Sequence, residues 1–149
     1  TPPQEHSTPP QATTSPPEST PDAVRIVEID PQAGTLQEQL TAAAARAHAD
    51  GRPVALELWA GWCAPCKKLD AMLRSGVVAD AVRGAVLVRA DVDAFDEELT
   101  AAGFSAPQIP SLYRLDERGR PRGKPLQGGD WGRRDATAIA AAIGELLAR

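Results

Sequence analysis

Apolar residues along this chain follow two spacings, and the spacing switches from one segment to the next. Val24-Arg25-Ile26-Val27-Glu28-Ile29 has the composition of a first strand. Thr35 to Ala49 is alanine-rich with Leu36 and Leu40 at helical spacing, and Asp50-Gly51 closes it. Val54 to Trp59 predicts a buried second strand, and Pro65 to Arg74 a second helix with Leu69, Met72 and Leu73 on one side. Val77 to Arg83 predicts a short helical turn. Ala85 to Val92 is a third strand whose continuous apolar start suits a central position. Asp96 to Ala102 predicts a short helix capped by Asp96 and ended by Gly103. Ser111 to Leu115 is a fourth strand, and Asp116-Glu117-Arg118-Gly119 is turn chemistry. Pro121 to Gln127 returns as an edge strand, where prolines are tolerated. Asp135 caps a last helix to Ala148, with Ile139, Ile143, Leu146 and Leu147 as its buried stripe.

The order is β-α-β-α-β-α-β-β-α, with strands and helices alternating until a terminal hairpin. It predicts an α/β fold: a central mixed β-sheet flanked by helices on both faces. No internal repeat is apparent. A chain of 149 residues, 42% hydrophobic, allows one ordinary domain with a core that needs no staple. Residues 1–22 break the pattern. They hold seven of the 14 prolines, interleaved with Ser and Thr. Such a segment cannot bury enough surface to offset its ordering entropy. The expected organisation is a disordered Pro/Ser/Thr-rich tether over 1–22 and a folded domain over 23–149.

Charge narrows the partners. The tail carries Glu5, Glu18 and Asp22 and no base, so of 20 acids and 16 bases, 17 and 16 remain from residue 23 onward. A near-neutral body excludes nucleic acid and an anionic membrane surface as expected partners. No run of 18 apolar residues exists to span a membrane. The chain begins at Thr1 rather than Met, which leaves room for an upstream segment removed by processing. The tail composition suits a spacer that holds the domain away from a membrane or another domain, so an extracytoplasmic, membrane-tethered location is favoured over a cytoplasmic one.

The candidate chemistry lies in Trp59-Ala60-Gly61-Trp62-Cys63-Ala64-Pro65-Cys66-Lys67, which contains the only two cysteines. A dithiol between a strand end and a helix start meets free N–H groups and the positive end of the helix dipole, both of which stabilise a thiolate. Cys63 is the expected nucleophile and Cys66, one turn further in, the resolving thiol. The alternative is half of a metal site. Zinc needs four ligands, and the remaining candidates are His6 in the tail and His48 in a helix.

The nine-residue run resembles the active-site signature of the thioredoxin superfamily, most often Trp-Cys-Gly-Pro-Cys-Lys. Gln108-Ile109-Pro110-Ser111-Leu112-Tyr113 resembles that family's Ile-Pro-Thr segment. Two motifs in the right order carry the resemblance over about residues 24–148. It implies a thioredoxin fold, with Pro110 as the cis-proline facing the dithiol. It also implies that Ile109 offers its backbone to a substrate peptide as an added strand. Trp62, Ala64 and Pro65 complete the expected substrate-binding surface.

Glu57 is an acid inside an otherwise apolar strand. In thioredoxins an aspartate at the matching position lies buried behind the dithiol and relays the proton of the resolving cysteine. Glu57 is therefore expected as general base for Cys66, with Arg89 on the neighbouring strand as its partner. Asp70 lies one turn beyond Cys66 and is the alternative catalytic acid to Glu57 for the proton of Cys66. The C-terminal domain of the periplasmic thiol–disulfide interchange proteins resembles this arrangement, with the two acid types exchanged. Trp59 is expected in the core, and Trp131 beside the groove or in packing.

The resemblance thus implies a thiol–disulfide oxidoreductase that reduces disulfides of partner proteins and draws on an upstream reductant, as a monomer without metal or organic cofactor. Reductase is expected over oxidase, because strong oxidants of the superfamily usually carry a histidine where this chain has Ala64-Pro65. The rival reading is a protein-binding module on the same fold whose cysteines ligate a metal or cluster.

Overall fold

The computed structural model describes residues 23–127 and 134–149. The N-terminal tail and Trp131 lie outside the described residues. The four strands are β1 (Arg25–Glu28), β2 (Val54–Trp59), β3 (Val86–Asp91) and β4 (Ser111–Arg114). They form one mixed sheet in the order β1-β3-β2-β4. β3 runs parallel to both β1 and β2, and β4 lies antiparallel to β2. β2 and β3, apolar but for Glu57, Arg89 and the terminal Asp91, occupy the centre, where both faces must be covered. The helices are α1 (Leu36–Ala49), α2 (Ala64–Met72), α3 (Val77–Ala81), α4 (Asp96–Ala101) and α5 (Ala136–Leu147). This is the thioredoxin fold.

Side-chain alternation sorts each strand between two cores. On one face, Leu56 and Leu58 of β2 and Val86, Val88 and Ala90 of β3 meet Leu36, Leu40, Ala44 and Ala47 of α1 and Leu99 of α4. On the other, Ala55, Leu87 and Leu112 meet Leu69 of α2, Val78 of α3 and Ile139, Ile143 and Leu146 of α5. Glu57 and Arg89 point to this second face, at positions where their neighbours in the pattern are apolar. A third cluster of Ala60, Cys63 and Cys66 joins the C-terminal end of β2 to the start of α2.

α1 and α5 begin on side-chain caps: Thr35 Oγ1 accepts from the Glu38 N–H, and Asp135 Oδ1 from the Ala138 N–H. Gly103, at φ +90°, ends α4, and the buried Phe104 N–H returns to the Leu99 carbonyl.

Two expectations are corrected. Asp96 is the first helical residue of α4 and not its cap; the cap position belongs to Phe95, which makes no side-chain capping bond. Phe95 is 3% exposed, so its burial sets where the helix starts, and the approach is shaped by Asp91 Oδ1, which accepts from the N–H groups of Asp93 and Ala94. The return segment 121–127 is not a strand. It makes two isolated bridges, Leu112 with Leu126 and Leu115 with Pro121. Pro121 and Pro125 supply no N–H, and Gly123 turns the chain at φ +71°, so a continuous ladder cannot form.

Candidate active site

Cys63 is the N-cap of α2, with extended backbone at φ −83° and ψ 109°, and its sulfur accepts the Cys66 N–H at 3.1 Å. Pro65 sits in the first turn of α2, where its missing N–H costs no intrahelical bond. The two cysteines form a disulfide with their Cα atoms 5.2 Å apart. Both are buried, Cys63 at 3% and Cys66 at 1% exposure. The sulfur at the helix mouth therefore takes up one of the N–H groups that lack an intrahelical partner and faces the positive end of the dipole.

The Ile109–Pro110 peptide bond is cis, and the Ile109 carbonyl oxygen lies 3.7 Å from Cys63 Sγ. The segment before it is pinned from β4. The Tyr113 hydroxyl donates to the Ser105 carbonyl at 2.7 Å and accepts the Ser105 N–H at 2.9 Å. Its ring packs edge-on to Phe104, 5.0 Å between centroids. Trp62 is 69% exposed beside Cys63, and its indole Nε1 donates to Asp93 Oδ2 at 2.7 Å. Ala64 is exposed and Pro65 half-buried on the same rim, while Pro110 is buried.

Asp70, one helical turn beyond Cys66 on α2, belongs to a charged cluster built around Arg89. Arg89 on β3 donates from Nε to Glu57 Oε2 at 3.2 Å, from Nη1 to Glu28 Oε1 at 3.1 Å and from Nη2 to Asp70 Oδ1 at 2.8 Å. Its guanidinium carbon stands 5.0 Å from the centroid of the half-buried Trp59 ring. Glu57 is 1% exposed, and its Oε1 has no hydrogen-bond partner among the described residues. Burial pushes the Glu57 carboxyl up to about 7, against the pull of Arg89. For Asp70, partial burial pushes upward, but hydrogen bonds from Arg89 and Arg74 outweigh it and lower its pKa. Burial works against the Arg89 charge too, yet the three acids raise its pKa on balance.

The structure thus brings Cys63, Cys66, Ile109 and Pro110 together at one surface, with Trp62 on its rim. Glu57 and Asp70 meet on a shared arginine, Asp70 one helical turn beyond Cys66. Two residues escaped the sequence reading. Glu28 reads there as an ordinary strand residue, and its role appears only when the parallel register sets it beside Arg89. Asp93 carries no sequence signal beyond turn chemistry. Among the described residues, no three His, Cys, Asp or Glu side chains are grouped to hold a metal ion.

A family model described as thioredoxin-like matches residues 35–122, well over half of the chain. A thiol:disulfide interchange protein DsbD from Cronobacter sakazakii is 40% identical over 78 residues, which cover 52% of this chain and 12% of that protein. Thioredoxin C-2 of Corynebacterium nephridii is 36% identical over 66 residues, covering 44% of this chain and 57% of that one. The chain thus spans less than two thirds of either relative. Among solved structures, a disulphide isomerase from Xylella fastidiosa superposes with a TM-score of 0.62 at 22% identity, over 78% of this chain and 94% of that one. A mutant thioredoxin from Halobacterium salinarum gives 0.55 at 20% identity, over 87% and 96%. At these identities the structural likeness speaks for the fold.

Proposed function

The chain belongs to the thioredoxin-like family, and from that premise we propose that it reduces disulfides of partner proteins through Cys63 and Cys66. The observation that carries the reading is the Cys63 sulfur: it caps α2, accepts the Cys66 N–H and lies against the carbonyl that precedes Pro110.

In the reduced protein the Cys63 thiolate attacks a partner disulfide. A Cys63–partner bond forms, and one partner sulfur leaves as a thiolate that takes up a proton. Cys66 then loses its proton to Glu57 and attacks Cys63. The Cys63–Cys66 bond forms, the second partner sulfur departs with its electron pair, and two electrons have passed to the partner. An upstream dithiol must re-reduce the pair. Trp62, Ala64 and Pro65 form the platform on which the partner rests, and the Ile109 backbone pairs with its extended chain. Residues 1–22 act as a tether for a domain working outside the cytoplasm, a placement that cell fractionation with an antibody to the domain tests.

Insulin reduction with dithiothreitol as donor tests the chemistry. The parent protein accelerates it, Cys63→Ser abolishes the acceleration, and Cys66→Ser accumulates mixed disulfides. A Cys63→Ser variant as active as the parent overturns the proposal. The reduction potential is expected near that of thioredoxin, about −270 mV, rather than near about −120 mV as in a strong oxidant.

A further inference from the structure

Arg89 divides its guanidinium among three acids from three elements, each on a different nitrogen: Glu57 of β2, Asp70 of α2 and Glu28 of β1. With all three ionised, and with Arg74 counted beside Asp70, the cluster still carries one more negative charge than positive around an arginine side chain 8% exposed. An added proton therefore lowers its energy, and burial directs that proton to Glu57, whose Oε1 is unpartnered. Asp70 is the poorer site because Arg74 also holds it, at 3.1 Å. Glu28 is 57% exposed.

We propose that Glu28 is a positioning residue for the dithiol's proton chemistry. By engaging Nη1 of Arg89 and adding its own charge, it limits how far that cation neutralises Glu57 and keeps the Glu57 carboxyl able to take and return a proton. The inference rests on the reading that Glu57 serves Cys66. It is independent of that reading in what it says of the Glu57 carboxyl itself.

The geometry follows from the sheet. β1 and β3 are parallel with Glu28 opposite Arg89, and β2 and β3 are parallel with Glu57 opposite Arg89. Arg89 therefore has an acid in register on each side, and all three side chains turn toward α2, which adds Asp70 from above. The charged groups acting on Glu57 are Arg89, Asp70 and Glu28, the first lowering and the other two raising its pKa. Arg74, just past the end of α2, enters only through Asp70. Of these, Glu28 alone lies on a partly solvated edge strand, so it can be neutralised without opening a hole in the core.

The test is Glu28→Gln, which keeps the size and removes the charge. Carbon-13 NMR of glutamate-labelled protein follows the Glu57 carboxyl directly, its signal assigned from Glu57→Gln. The expected result is a Glu57 midpoint displaced to lower pH by about half a unit or more. The acid limb of the insulin-reduction profile moves the same way. A Glu57 midpoint that stays in place or rises overturns the proposal. The NMR titration needs no substrate, so a protein without reductase activity would sink the reading of the dithiol and leave this measurement decisive.

Discussion

Glu57 commits one carboxyl oxygen to Arg89 and buries the other without a partner, which ties stability to pH in a definite sense. Its folded-state pKa of about 7 exceeds its ordinary value of 4.5, with burial the largest cause. Between those values the folded protein retains a proton that the unfolded chain has released. Stability therefore declines as pH rises from 4.5 to 7 and levels off above. A shift of that size corresponds to about 3 kcal/mol. Urea unfolding across this range is expected to show the slope in the parent and a flattened one in Glu57→Gln. Equal slopes would assign the linkage to another group. Asp70 works in the opposite sense: with its pKa lowered from 3.8, its contribution is present above that value and fades as the folded group is protonated in stronger acid.

At the scale of elements, the turn after β4 is locked to α1. Asp116 Oδ1 accepts from the N–H groups of Arg118 and Arg120, and Thr41 Oγ1 donates to the Arg118 carbonyl at 3.1 Å. Gly119 sits at φ +79°, and a Cβ there would lie 2.7 Å from the carbonyl carbon and oxygen of Leu40. Those atoms are helix backbone and cannot step aside. Gly119→Ala is expected to cost about 2–4 kcal/mol in denaturant unfolding, since backbone strain adds to overpacking. Gly123→Ala meets a similar φ of +71° in open space and should cost only about 1–2 kcal/mol. Equal losses at the two positions would show that the approach to α1 contributes nothing.

For the whole molecule, among the described residues both large cores draw their members from Val24 to Leu147, and the sheet and dithiol lie within the same span. Removing residues 1–22 is therefore expected to leave the urea midpoint and the rate of insulin reduction unchanged. A lowered midpoint would place the tail within the folded unit.

What the sequence by itself determined is local or periodic. Leu36 and Leu40 mark α1 because helical spacing is written in consecutive residues, and the continuous apolar start of β3 calls for a central place covered on both sides. Two separated motifs fix the dithiol and its proline. The edges resisted reading for identifiable reasons. The turn chemistry of Asp116 to Gly119 suggests a returning edge strand over 121–127, but two missing proline N–H groups reduce it to bridges. Asp96 has cap chemistry, but burial of Phe95 moves the start of α4. The resemblance already pairs Glu57 with Arg89, but the place of Glu28 in the charged cluster belongs to the tertiary structure: Glu28 and Arg89 are 61 residues apart. Only the parallel register of β1 on β3, with α2 laid across that face, brings three acids to one arginine. An acid's proton affinity depends on the burial and charge around it, so the sequence could name Glu57 and the fold had to decide what Glu57 feels.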